Sequence, residues 1–251
     1  MRPLTFDFTN KVVLVTGSTR GIGRVIADQF AICGAHVVVT ARSEDDVARV
    51  SGEMRGAGYE VTGFVCDVCD EQMVGDLFGR VRETYGGVDV IVNNAALREH
   101  RSLDDTSMEH WNQMLATNLT GAYLVARAAR TQFSDRGGGA IINIGSIVSE
   151  CPPAYFEGVH YVVSKAGLIA LTRGLAREMG VDNVRVNAVV PNVVATGELR
   201  PEYVYAEALR TAPLSRITTA EDVAHCVLFL SSRYGASVTG QVIALGSTER
   251  P

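Results

Sequence analysis

A chain of 251 residues, 47% of them hydrophobic, with 23 Lys+Arg against 28 Asp+Glu, carries a net charge of -5. That acidity, with Arg residues scattered rather than clustered, argues against nucleic acid or an anionic membrane as partner, and no apolar run approaches the ~20 residues a bilayer span requires. The start, Met1-Arg2-Pro3-Leu4-Thr5-Phe6-Asp7, has no apolar signal core, so a cytoplasmic location is expected.

In chain order, short β-branched runs alternate with longer helical patterns. Lys11–Thr16 reads as the first strand, followed by the glycine-rich turn Thr16-Gly17-Ser18-Thr19-Arg20-Gly21-Ile22-Gly23 and an apolar-periodic helix that Gly34 suits as a C′ residue. His36–Thr40 is the second strand, and Ser43 before Glu44-Asp45-Asp46 offers an N-cap oxygen and first-turn carboxylates. Glu60–Val65, Val88–Asn93, Ala140–Ile144 after the turn Gly137-Gly138-Gly139, Val184–Val190 and Gln241–Ala244 complete seven strands. Thr219 before Ala220-Glu221-Asp222 repeats the N-cap signal. The stretch 192–215, with weak periodicity and Gly197, Pro201 and Pro213, exceeds an ordinary connection and reads as a substrate lid. Strands such as Val12-Val13-Leu14-Val15 are apolar at every position, as expected where helices cover both faces of a parallel sheet. The expected architecture is one α/β domain over 1–251, a doubly wound, seven-stranded parallel sheet flanked by helices.

Five cysteines, Cys33, Cys66, Cys69, Cys151 and Cys226, form an odd, sparse set that suits a reducing compartment. Cys66 and Cys69 make a C-x-x-C without a second ligand pair, so packing thiols and no metal site are expected. Cys151 has no evident partner for nucleophilic chemistry.

Two segments carry chemistry. The three glycines lie where a backbone must turn tightly and approach a ligand closely, and the helix that follows offers unpaired N–H groups to a pyrophosphate. The spacing Gly-x-x-x-Gly-x-Gly is by itself a weak signal. In Tyr161-Val162-Val163-Ser164-Lys165, residues four apart share a helix face, so the Lys165 ammonium can lie near the Tyr161 phenol. A free Tyr titrates near ~10, and general acid/base work near neutrality needs a fall of ~3 units, or ~4 kcal/mol. One cation at ~4 Å in an effective dielectric of ~20 contributes about that much. Tyr155 has Val159 four residues on and lacks the cation.

Together with Asn93-Asn94-Ala95 ending strand four, Asn118 in a helix and Ser146 after strand five, these elements give an ordered set. It resembles the short-chain dehydrogenase/reductase family, with its Rossmann-type fold, across essentially the whole length. The resemblance implies that Tyr161 donates a proton to a substrate carbonyl as hydride leaves nicotinamide, and that Lys165 lowers the Tyr161 pKa and holds the nicotinamide ribose. It implies further that Ser146 donates to the developing alkoxide and that Asn118 orders a water leading from Lys165 to solvent. Gly17, Ser18, Thr19, Arg20, Gly21, Ile22 and Gly23 would cradle the pyrophosphate. Cys66, Asp67 and Val68 would border the adenine, although Asp67 could equally be a helix N-cap. Asn94, Ala95, Ala96, Pro191, Val194 and Thr196 would line the nicotinamide end. The second strand ends Thr40-Ala41-Arg42-Ser43, with no ribose-binding acid, while Arg20 and Arg42 can fork onto a 2′-phosphate. NADPH/NADP is therefore expected over NADH/NAD, unless those Arg side chains are merely solvated.

The chain departs from the family at Ala96, where glycine is usual, and at Pro191-Asn192, where Pro-Gly is usual. Asn tolerates left-handed backbone, so the turn is expected to survive with its side chain near the nicotinamide. Leu245-Gly246-Ser247 replaces a common Asp-Gly-Gly and puts packing of the last strand in doubt. The expected substrate pocket uses Ser146, Ile147, Val148, Cys151, Tyr155, Tyr161 and Asn192. His160 adjoins Tyr161 but points elsewhere on the helix, which favours a structural role. A small-molecule ketone or 3-oxoacyl reductase leads, ahead of an oxidative alcohol or polyol dehydrogenase and of a catalytically silent nucleotide sensor. A carrier-protein substrate would look to Arg136 and Arg177. The helices holding Trp111–Phe133 and Tyr161–Met179 are expected to build a homotetramer or homodimer.

Overall fold

A computed structural model describes residues 5–150, 158–196 and 202–246. The elements run β1 (Val12–Thr16), α1 (Gly21–Ile32), β2 (His36–Ala41), α2 (Glu44–Gly56), β3 (Val61–Val65), α3 (Glu71–Tyr85) and β4 (Val90–Asn93). Then come α4 (Met108–Leu115), α5 (Gly121–Asp135), β5 (Gly139–Ile144), α6 (Val159–Met179) and β6 (Val184–Pro191). The chain closes with β7 (Val194–Ala195), α7 (Glu202–Thr211), β8 (Thr218–Thr219), α8 (Ala220–Ser231) and β9 (Val242–Leu245). Seven strands form a parallel sheet in the order β3-β2-β1-β4-β5-β6-β9, and β7 and β8 form a separate parallel ribbon. The order reverses between β1 and β4, which opens a crevice beyond their C-terminal ends.

The uniformly apolar strands follow from the two-sided packing. Val13 and Val15 of β1 face a core with Ile26, Phe30, Val223 and Val227 of α1 and α8. Their neighbours Val12 and Leu14 face the opposite core, with Leu77, Phe78, Val125 and Phe133 of α3 and α5. Each such buried Val or Leu contributes about 1.5–3 kcal/mol relative to exposure. The β1–β2 register runs from Val12↔His36 to Thr16↔Thr40, so the turn after β1 and the end of β2 arrive at the same edge.

Helix ends match the sequence signals. Ser43 accepts from the Asp46 N–H at 3.2 Å, and Thr219 and Asp222 complete a reciprocal capping box. Gly34 follows α1 with φ +84. Asp70 caps α3, accepting from Gln72 and Met73, so Asp67 is not a cap; its carboxylate accepts instead from the Cys69 N–H.

Three features differ from expectation. The fourth strand begins at Val90 rather than Val88, because Asp89 turns its carboxylate back to the Val12 N–H, Lys11 and Arg136. Part of the lid is helical, in α7. The last strand pairs along its whole length despite Leu245-Gly246, with β6 from Ala188↔Val242 to Pro191↔Leu245, while its side chains are only partly buried. No helix among the described residues is long and apolar enough to cross a membrane.

Candidate active site

The glycine turn is held from two sides. Ser18 donates to Val15 O at 2.7 Å, accepts from the Thr40 N–H, and gives its own N–H to Thr40 O, which ties the turn to the end of β2. On the other side Thr16 Oγ1 accepts the N–H groups of Asn94 and Ala95, both at 3.0 Å. Asn94 returns its amide to Thr16 O and Gly17 O at 2.9 and 3.0 Å. Gly17 has φ +62, and a Cβ on Gly23 would stand 2.3 Å from Asn94 Nδ2, so neither position admits a side chain. Thr16 was not among the expected site residues; a hydroxyl closing an otherwise apolar strand was the available signal.

The turn fits an anion. Helices α2, α3, α4 and α8 each carry a side-chain cap, whereas α1 has none and no acid in its first turn. Its N-terminus therefore keeps its partial positive charge for a ligand. Arg20 and Arg42 are both exposed, and neither guanidinium makes a hydrogen bond or ion pair among the described residues. The nearby Asp46 carboxylate is held below its ordinary range first by Arg49, with Arg20 acting at longer range. Gly21 lies across from Thr196, whose Cβ would be 3.9 Å from a Gly21 Cβ, so the turn and the start of the lid frame one cleft.

Tyr161 and Lys165 lie one turn apart on α6, 7% and 3% exposed, with Lys165 Nζ 5.9 Å from the Tyr161 ring centre. Nζ also donates to Ile144 O at 2.9 Å, which anchors the ammonium at the end of β5. Ser146 follows that strand with extended backbone (φ -157) and begins the helical turn Ile147–Ser149, in which Ile147 and Val148 are buried. Asn118 occupies a π-helical turn, Ala116–Thr120, inserted between α4 and α5. Its side chain accepts from the Leu97 N–H at 2.7 Å and donates to Leu97 O and Ser164 Oγ, joining the loop after β4 to α6. Ser164 and Leu97, both absent from the expected set, are thus the partners that orient Asn118. A small cavity bordered by the polar Thr16, Asn93, Thr117, Asn118 and Lys165 and by the apolar Val68, Ala95, Ala122 and Leu168 lies beside this arrangement. Asn93 Oδ1 is buried there without a protein partner.

Other expected residues resolve individually. Burial pushes the Cys66 thiol up to about 11, while Cys69 Sγ lies 3.4 Å from Thr117 Oγ1, with its pKa also raised chiefly by burial. Val68 is buried and Ala96 exposed. Cys151 and Tyr155 lie outside the described residues. Asn192 departs from expectation: the non-glycine residues with left-handed backbone among those described are Asn10, Asn183 and Ser215, and Asn192 is not one of them. Its side chain donates to Gly246 O at 3.2 Å. His160 is fully buried with neither ring nitrogen hydrogen-bonded among the described residues, and burial holds its pKa below the ordinary value. Arg136 is committed to Asp89 at the N-terminal edge of the sheet, opposite the cleft.

Residues 17–246 match the family described as Enoyl-(Acyl carrier protein) reductase. The chain is 35% identical over 240 residues to the 3-oxoacyl-[acyl-carrier-protein] reductase FabG of Aquifex aeolicus, covering 93% of this chain and 94% of that one. It is 33% identical over 245 residues to a 3alpha-hydroxysteroid dehydrogenase of Mediterraneibacter gnavus, covering 96% and 97%. A crystal structure of a short-chain type dehydrogenase/reductase from Mycobacterium marinum superposes with a TM-score of 0.90 at 32% identity, covering 96% of this chain and 95% of that one.

Proposed function

The chain belongs to the short-chain dehydrogenase/reductase family of NAD(P)-dependent oxidoreductases, and on that premise we propose that it reduces a ketone or 3-oxoacyl carbonyl to a secondary alcohol with NADPH. The observation that carries this reading is the buried pair on α6, an ammonium 5.9 Å from the centre of the Tyr161 ring and anchored on Ile144 O. When bound, the dinucleotide supplies the hydride. Tyr161 gives its proton to the carbonyl oxygen, and Lys165 makes the resulting phenolate less costly. Ser146 donates to the same oxygen as negative charge develops there. Asn118 orders a water beside Lys165, for which Asn93 Oδ1 and the neighbouring hydroxyls supply the polar partners such a water needs.

The cofactor fits the residues present. The uncapped start of α1 would take the pyrophosphate, Arg20 and Arg42 the 2′-phosphate, Cys66, Asp67 and Val68 the adenine side, and Pro191, Val194 and Thr196 the nicotinamide side. The two unspent guanidinium groups and the missing acid at Ala41 support NADPH over NADH. Ser146, Ile147, Val148 and Asn192 would border the substrate.

The printed activities of the relatives, a 3-oxoacyl reductase and a hydroxysteroid dehydrogenase, leave the substrate open and favour one second reading, an alcohol dehydrogenase working oxidatively on the same residues. A silent sensor is disfavoured because Tyr161 and Lys165 are both retained. The exposed Tyr123 on α5 and Val163 on α6, 43% and 39% accessible, support a homotetramer or homodimer built through those helices, and a cytoplasmic location is part of the same proposal. Fluorescence titration with NADPH and NADH, followed by a panel of ketones, 3-oxoacyl thioesters and sugar-derived carbonyls, tests the reading. NADPH binding with oxidation by one panel member supports it, and absence of NADPH binding overturns it.

A further inference from the structure

Two departures from the family pattern, Asn192 and Leu245-Gly246, meet in space. The ladder between β6 and β9 ends at Pro191↔Leu245, and the Asn192 N–H extends it by one bond to Leu245 O at 3.0 Å. The Asn192 side chain then reaches one residue further, to Gly246 O at 3.2 Å. Gly246 has φ +76, and a Cβ there would stand 2.2 Å from Thr218 Oγ1, so Thr218 packs directly on it. Thr218 in turn pairs with Val194 in the β7–β8 ribbon, which closes the two ends of the lid onto each other. The closed circuit therefore runs Asn192, Gly246, Thr218, Val194.

We infer that Asn192 is a positioning residue that clamps the strip Val194–Thr196 to the C-terminal strand, and so holds the nicotinamide end of the cofactor cleft. The inference rests on the dinucleotide reading above. A glycine at 192 would lose the side-chain bond to Gly246 O and keep the backbone bond to Leu245 O. The amide adds one sideways bond at the point where the strip leaves the sheet.

Asn192→Ala separates this role from general packing. Affinity for NADPH should fall about three- to tenfold, the equilibrium factor of one net hydrogen bond, while affinity for adenosine 2′,5′-bisphosphate, which lacks the nicotinamide half, stays unchanged. Equal loss for both ligands, or loss for neither, overturns the inference. Hydrogen exchange of the ligand-free protein gives a second readout: peptides spanning 192–196 and 242–246 should exchange faster in the variant, with β1 and β4 unchanged. Unchanged exchange at 192–196 overturns the clamp whatever the cofactor. Failure of the unsubstituted protein to bind NADPH overturns the functional reading, and the exchange result then decides the clamp alone.

Discussion

Gly23→Ala is the most informative single methyl group to add to this protein. The new Cβ would stand 2.3 Å from Asn94 Nδ2 and 2.4 Å from Gly17 O, against an ordinary contact of ~3.5 Å. The Asn94 amide is a side chain and can rotate, but it holds Thr16 O and Gly17 O, so moving it forfeits two hydrogen bonds at about 1 kcal/mol each. The Gly17 carbonyl is backbone in a turn with φ +62 and can yield only by shifting the turn itself, an overpacking cost of about 1–3 kcal/mol. Against this, Ala in a helix gains only ~1 kcal/mol over Gly. The expected outcome is a net loss of roughly 2–4 kcal/mol, read as a lower urea midpoint with unchanged slope, together with weakened NADPH binding. Gly79→Ala, in α3 with nothing within 4 Å of the new methyl, should instead gain ~0.5–1 kcal/mol and leave binding alone. A Gly23→Ala midpoint equal to that of the unsubstituted protein would refute the argument, because it would mean that the Asn94 bridge does not hold the turn.

Tyr161→Phe should bind NADPH normally and lose turnover by about 10²–10⁴-fold in steady-state assays; equal activity would assign the acid elsewhere. Arg20→Ala should weaken NADPH by about tenfold or more and leave NADH unchanged in parallel titrations, since a charge-assisted bond is worth ~1.5–3 kcal/mol. Asp222, held at about 2 by Arg216 and the Thr219 N–H, is depressed below its unfolded value of 3.8. Its stabilisation is therefore complete above pH ~4 and lost as pH falls toward ~2; Asp222→Asn should remove that acid limb, by no more than about 1 kcal/mol at so solvated a site. Burial holds the His160 pKa below its unfolded value, so the stability it permits is full above the unfolded pKa and falls as the pH drops below it. Circular-dichroism melts of His160→Phe should show a flatter pH dependence below ~6.5 than the parent, and identical profiles would show that His160 does not titrate in that range.

The sheet was legible because burial on both faces leaves an unmistakable trace: Val12 through Val15 have no polar position, and the ladder runs through all of them. Ser43, Thr219 and Gly34 announced helix ends through chemistry that acts within four residues. What escaped the sequence is non-local. The Asp89 carboxylate draws Lys11 and Arg136 from opposite ends of the first 136 residues, and nothing in its own neighbours predicts that. The β7–β8 ribbon is two residues long on each side and is separated by the lid, too short for a periodic signal. Asn192 was misread because a positive φ was carried over to it, whereas the residue keeps ordinary backbone and spends its amide on Gly246. At the site, the spacing of Tyr161 and Lys165 placed both on α6, but the tethers there are non-local: Ile144 O at the end of β5 holds Lys165, and Asn118 ties Leu97, after β4, to Ser164 of α6.

The helical path from Met108 to Asp135 is continuous, and the wide turn at Ala116–Thr120 acts on it as a phase shift. One residue more than an α-helix would use rotates everything after it by about 100°. That rotation separates the two ends of the path: Met114 before the turn packs with Val148 and Tyr161, whereas Leu124, Val125 and Phe133 after it pack into the core on α3 and β1, with Asn118 at the point where the phase changes. The position of Asn118 is consequently encoded in a count of residues as well as in their identities. Side-chain replacements within the turn leave that count intact, whereas loss of a single residue there would restore ordinary helix and turn the buried face of α5 by about 100° relative to Met114, so that both could no longer keep their separate packing partners.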